Sequence, residues 1–104
     1  MLGVMKVSVY RDVDPRTLRL PWSRRDGADP GKLARQISRH GNSTQGMPPP
    51  FVYGATDGEL VLSDGVTRAT RVAKLLPGTL IRVEVIGDLP GPGTSTPTVG
   101  DKLP

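Results

Sequence analysis

The sequence predicts a small α+β domain, a mixed β-sheet with two main helices, and three observations lead there. Short alternating apolar and polar runs occur near both ends of the first 87 residues and in the middle. Between them lie two stretches with apolar residues at helical spacing. Aspartate, proline and glycine stand at the borders of these stretches, where helices and turns begin and end.

In order, Lys6-Val7-Ser8-Val9-Tyr10 alternates and reads as a half-buried strand. An irregular, basic stretch follows from Asp14-Pro15 through Trp22 to Gly27. Asp29-Pro30 starts a helix, with Asp as N-cap and Pro in the first helical position, and Gly41 stops it after His40. Leu33, Ile37 and Ala34 are its expected buried stripe, while Lys32, Arg35 and Arg39 share another face at i, i+3, i+7 spacing. Gly46-Met47-Pro48-Pro49-Pro50 is a stiff lead-in to two strands, Phe51-Val52-Tyr53 and Leu60-Val61-Leu62, joined by a turn at Asp57-Gly58. Val66, Ala69, Ala73 and Leu76 recur at helical spacing, with Arg68, Thr70, Arg71 and Lys74 as the polar face and Pro77-Gly78 as the stop. Leu80 to Ile86 alternates again, with Ile81, Val83 and Val85 on one side and Arg82 and Glu84 on the other. From Asp88 the chain fills with Pro, Gly, Ser and Thr, so residues 1–87 are expected to be the domain and 88–104 a flexible tail.

Composition removes several function classes. There is no Cys in 104 residues and a single His, His40, which excludes disulfide frameworks, Cys-ligated zinc and thiol catalysis. His40 falls at a helix C-terminus, where partial positive charge is favourable, and is read as structural. No apolar run is long enough to span a bilayer, and the first residues lack the pattern of a signal peptide, so a cytoplasmic protein without membrane partners is expected. The formal net charge is +4. Eight basic residues (Arg11, Arg16, Arg19, Arg24, Arg25, Lys32, Arg35, Arg39) face four Asp between positions 11 and 39, a footprint suited to a polyanion.

The chemistry-bearing run is Leu60-Val61-Leu62-Ser63-Asp64-Gly65-Val66-Thr67-Arg68-Ala69, a strand that turns through Ser-Asp-Gly into a helix. First-turn amides have no helical acceptor and the helix end carries partial positive charge, which makes an anion site. Gly65 allows close approach, the Val66–Arg68 backbone and the Thr67 hydroxyl donate hydrogen bonds, and Arg68 adds a bidentate cation. Asp64 either caps the helix or holds Mg²⁺ brought in with a nucleotide. Glu59 is expected to point to solvent, and Trp22 either covers the core edge or stacks on a base.

These motifs resemble the ParB/sulfiredoxin-like superfamily over roughly residues 7–87. Val13-Asp14-Pro15-Arg16-Thr17-Leu18 is similar to the family's opening strand and loop, and Arg24-Arg25 falls where ParB-like domains carry an arginine. Lys32 to Gly41 resembles the helix before the family's "G…PI" segment, here Gly46 to Val52, and Asp64 to Ala69 resembles its phosphate-binding turn. The resemblance implies nucleotide or phosphorylated-ligand binding by Gly65, Val66, Thr67 and Arg68, with Arg24 or Arg25 as a second phosphate contact and, if turnover occurs, phosphoryl transfer or hydrolysis. The chain also departs from the family. Val66 stands where sulfiredoxins carry Cys and ParB CTPases an acid, and Thr67 replaces the His of related turns, so no catalytic group is identified. Two other readings stand beside nucleotide binding: a nucleic-acid-binding or nuclease domain using the basic surface, and a non-catalytic adaptor.

Overall fold

The computed structural model describes residues 8–104. The fold is a four-stranded mixed sheet with two α-helices, as the sequence pattern predicts. The strands are β1 (Val9–Val13), β2 (Phe51–Gly54), β3 (Leu60–Asp64) and β4 (Ile81–Asp88); the helices are α1 (Pro30–His40) and α2 (Val66–Leu75). The spatial order is β1-β4-β2-β3. The long strand β4 is antiparallel to β1 and parallel to β2, while β2 and β3 form an antiparallel hairpin. The start of the strand expected at Lys6-Val7 lies outside the described residues, and pairing runs from Val9 to Val13. No helix among the described residues is long and apolar enough to cross a membrane.

The alternation in β4 does what period-2 patterning requires: Ile81 and Val83 are buried while Arg82 is exposed. They join Val52 of β2, Leu62 of β3 and the inner stripe of α2, Ala69, Val72 and Ala73, in one core. Helix α1 begins as its sequence demands. Asp29 caps it by accepting from the Lys32 amide at 2.9 Å, and Pro30 occupies the first turn. Its amide bond from Lys32 and the neighbouring cations hold the Asp29 carboxyl below its ordinary pKa. Gly41, at φ +53, ends it. Of the expected stripe Leu33 is buried and Ile37 half-buried, but Ala34 is exposed.

Three parts of the core come from residues that the polar patterning places outside it. Leu18 and Leu20, within the irregular basic stretch, are fully buried. Arg19 between them forms isolated bridges to Val61 and to Thr98, so this segment continues the sheet beyond β3. The Arg19 amide donates to Leu60 O and Leu62 N donates to Arg19 O, each at 2.9 Å. Its guanidinium reaches Glu59 Oε1 at 2.7 Å and Thr96 O at 3.0 Å. Glu59 is therefore an ion-pair partner instead of a solvent-facing turn residue.

The second correction concerns residues 88–104, which pack on the domain where composition predicts a flexible tail. Val99 is fully buried, Val99 N donates to Leu18 O at 2.8 Å, and Leu20 N donates to Pro97 O at 2.9 Å. Asp57, in the β2–β3 turn, accepts from the Gly93 amide on both carboxylate oxygens at 3.1 Å and from the Glu59 amide at 3.1 Å. Near the end, Thr98 N donates to Asp101 Oδ2 at 3.0 Å and Asp101 N donates to Thr98 Oγ1 at 3.1 Å, a reciprocal cap. The Pro- and Gly-rich strap trades a large apolar contact for fixed φ angles and backbone bonds, which is why composition alone reads it as unfolded.

The third correction lies on α2. Thr70 and Arg71, expected on its polar face, are both buried. Thr70 Oγ1 donates back to Val66 O at 2.7 Å, which satisfies the hydroxyl within the helix. Arg71 Nη1 donates to Gly41 O and Ser43 O, each at 2.8 Å, and Nη2 lies 3.5 Å from Met47 Sδ. Burial lowers the guanidinium pKa, and the carbonyls at the end of α1 supply the compensating negative dipole.

Two outcomes are expected. Arg71→Met leaves two inward carbonyls without donors, at about 1–3 kcal/mol each. It should lower Tm by roughly 10 °C or more, and an unchanged melting curve would contradict the role given to Arg71. Separately, backbone amides hold the carboxyls of Asp57 and Asp101 below the ordinary 3.8, the Gly93 and Thr98 amides being the main causes. A lowered folded pKa gives stability that is complete above the unfolded value and is lost as pH falls through the folded one. Tm should therefore hold at mildly acidic pH and drop below about pH 4. Asp57→Asn should make that drop shallower.

Candidate functional site

Strand β3 ends at Asp64, the chain turns at Gly65, and α2 starts at Val66. Gly65 sits at φ +97, in the left-handed region that glycine tolerates. A Cβ there would lie 2.8 Å from Pro50 Cβ and 3.0 Å from Pro50 Cα, so the turn is pressed against the proline that leads into β2. The first helical bond is donated by Ala69 N to Gly65 O at 2.9 Å. Among the described residues no side chain caps the helix, and the Val66, Thr67 and Arg68 amides have no acceptor. Gly65, in place of Asp64, is the N-cap, which corrects the capping expectation. The Asp64 side chain is largely exposed, and its Oδ2 lies 3.8 Å from Arg68 Nη2.

Arg68 folds back over the turn. Its Nη2 is 2.9 Å from where a Gly65 Cβ would stand, and its Nε is buried without a hydrogen-bond partner. A buried donor with no acceptor costs about 1–3 kcal/mol, and Arg68 shares this condition with Arg71 Nε among the described residues.

The turn forms one wall of an open groove of about 540 Å³. The face of α1 that carries Lys32, Arg35 and Arg39 also lines it, as do Ser23 and Arg24. Helix α1 presents this face because Leu33 is buried on its other side, and α1 packs beside α2. Arg24, Lys32, Arg35, Arg39 and Arg68 thus surround a groove to which Asp64 contributes the one carboxylate. Among the described residues, only Arg68 of these five makes an ion pair within 4.0 Å. Clustered cations with few counter-charges raise the local potential and attract anions.

Of the residues singled out from sequence, Asp64, Gly65, Val66, Thr67, Arg68 and Arg24 meet at this groove. Arg25 does not. Its guanidinium stacks 5.5 Å from the Trp22 ring centroid, and its Nη1 donates to Trp22 O at 3.2 Å. Both residues border a second, smaller hollow of about 370 Å³. His40 is exposed at the end of α1. The sequence marks the α1 cations as a helix face that is either solvated or able to grip nucleic-acid phosphates, but nothing in it tells which other segment that face meets. Their i, i+3, i+7 spacing was the available signal.

As a Mg²⁺ site the groove is sparse. No group of three or more His, Cys, Asp or Glu side chains that could hold a metal occurs among the described residues. Asp64 alone fits an ion that brings most of its oxygen ligands with it, as phosphate oxygens and water, and not one the protein encloses. Val66 presents only an aliphatic side chain to the groove, so the departure noted at this position leaves the turn without an acid, base or nucleophile there.

No protein-family model and no curated protein matches the chain.

Replacing Gly65 tests the turn. Gly65→Ala forces a Cβ into left-handed backbone and against Pro50, with roughly 1–3 kcal/mol from the backbone conformation alone. Thermal melting should show a clear fall in Tm; an unchanged Tm would mean that the turn adopts another conformation.

Proposed function

We propose that the protein is a ParB/sulfiredoxin-like domain that binds a phosphorylated ligand, such as a nucleotide, in the groove between α1 and the start of α2. The observation that carries this reading is the convergence of five basic side chains from three chain segments on a groove with one carboxylate, beside uncapped first-turn amides. Phosphate oxygens would accept from the amides of Val66, Thr67 and Arg68 and from Arg68 Nε. Arg24 and the α1 cations would neutralise the remaining charge, and Asp64 would share a Mg²⁺ ion that accompanies the ligand. The order of elements, a mixed sheet whose β3 leads directly into the helix bearing the site, supports the family assignment.

The reading is one of binding. Neither Val66 nor Thr67 offers a general base at neutral pH, and Asp64, the groove's carboxylate, faces Arg68. Turnover by positioning and charge neutralisation alone would be slow.

Thermal shift in the presence of inorganic pyrophosphate and Mg-nucleoside triphosphates tests it. A ligand at a hundred times its Kd adds about 2.7 kcal/mol to stability. Wild-type Tm should rise, and the rise should vanish in Arg68→Ala and shrink in Arg24→Ala while both variants fold. No shift with any phosphorylated ligand would overturn the proposal and favour an adaptor with an empty groove.

A further inference from the structure

Trp22 is the single tryptophan of the chain, and it stands 63% exposed on the surface. A large aromatic ring is seldom left in water by a core this small, and Arg25 lies over one face of it. The hollow that it borders shares Ser23 and Arg24 with the cationic groove, so the two depressions adjoin at Arg24. On the far side of that junction, Lys32, Arg35 and Arg39 spread positive charge along about 10 Å of α1, at a rise of 1.5 Å per residue. A lone phosphate cannot touch a rail of that length together with Arg24 and Arg68.

The geometry points to a single-stranded nucleic acid as the ligand: its phosphates follow the groove along α1 and past the α2 N-terminus, and a base stacks on Trp22. This deepens the phosphate-binding reading and rests on it. A pocket selective for one nucleotide encloses most of its ligand. Here the ring is a platform open to solvent, and a platform beside a cationic track is the arrangement that takes successive nucleotides without choosing among bases. The Trp22–Arg25 stack would open or accept the base on its other face, because the cation already desolvates one side of the indole. Duplex nucleic acid fits poorly, since its bases are not free to reach the ring.

The experiment uses the full chain with short labelled oligothymidylate and oligouridylate, a duplex of equal length, a mononucleotide and inorganic pyrophosphate. Kd is read by anisotropy, and stacking by quenching of Trp22 emission. Both single strands should bind, quench Trp22, and weaken with salt along a log–log slope of about −0.7 per phosphate neutralised. Which of the two binds tighter tells DNA from RNA. Trp22→Ala should weaken oligonucleotide binding roughly tenfold, in line with the loss of one stacked base, and leave pyrophosphate binding and Tm unchanged. Arg39→Gln should make the salt slope shallower by about 0.7. If pyrophosphate or the mononucleotide binds but oligonucleotides bind no tighter and leave Trp22 emission unaltered, this inference fails while the phosphate-binding reading stands. Duplex binding that equals single-strand binding without quenching overturns it as well. If no phosphorylated probe binds, both readings fall.

Discussion

One buried cation organises this small domain. Arg71 leaves the middle of α2, crosses the core boundary and donates to the carbonyl oxygens of Gly41 and Ser43, where α1 has just ended. Among the described residues it has no carboxylate partner. Its charge is balanced by peptide dipoles, which are fixed in direction and which the end of a helix concentrates. Both sides gain: two carbonyls just past the end of α1 acquire a donor, and the guanidinium acquires acceptors in place of the water it gave up. Its Nε remains without a partner, so the balance is incomplete and the arrangement is sensitive to displacement.

This contact explains why the groove has two walls. Helix α1 is short and exposes most of its surface, with Leu33 its one fully buried side chain. Hydrophobic contact alone would fix its position weakly. The bond from Arg71 to its C-terminal end, with Asp29 capping the other end, sets the helix beside α2 at a defined height. The face carrying Lys32, Arg35 and Arg39 then looks across at Asp64–Arg68. A second constraint acts from beneath, where Pro50 presses on Gly65 and admits no side chain. The site is therefore positioned by contacts that lie outside it.

Local signals carried the reading of the sequence a long way, and long-range ones were invisible to it. Helix α1 was legible to the residue because Asp29, Pro30 and Gly41 act through their own backbone neighbours. The turn at Gly65 was legible for the same reason, as was the alternation of β4. Arg71 looked like a solvated residue because its partners are 28 and 30 positions away. Leu18 and Leu20 looked like part of a basic loop because every second residue there is polar, yet that alternation is itself strand-like once Arg19 pairs with Val61 and Thr98. The strap beyond residue 88 is held by Asp57 and by backbone bonds between Leu20 and Pro97 and between Leu18 and Val99, partners too distant in the chain for any window of composition to register. Arg24 and Arg25 are adjacent and chemically alike, but consecutive residues of a tight turn diverge, and one faces the groove while the other covers Trp22.

The charges of the groove are gathered in a way that a merely basic surface does not require. A helix face that merely keeps a protein soluble needs only to be exposed, and Lys32, Arg35 and Arg39 would meet that need wherever α1 pointed. They are instead turned toward Arg24 and Arg68, which come from two other parts of the chain. Five cations share two nearby carboxylates, Asp64 within the groove and Asp29 beside Arg24, Lys32 and Arg35, so the cluster keeps a net positive charge that repels itself within a Debye length of about 8 Å. Arg68 adds a buried Nε with no acceptor, in the same place. The excess positive charge and the Arg68 guanidinium lie together beside the first turn of α2, and that shared place is what the proposed phosphorylated ligand would use.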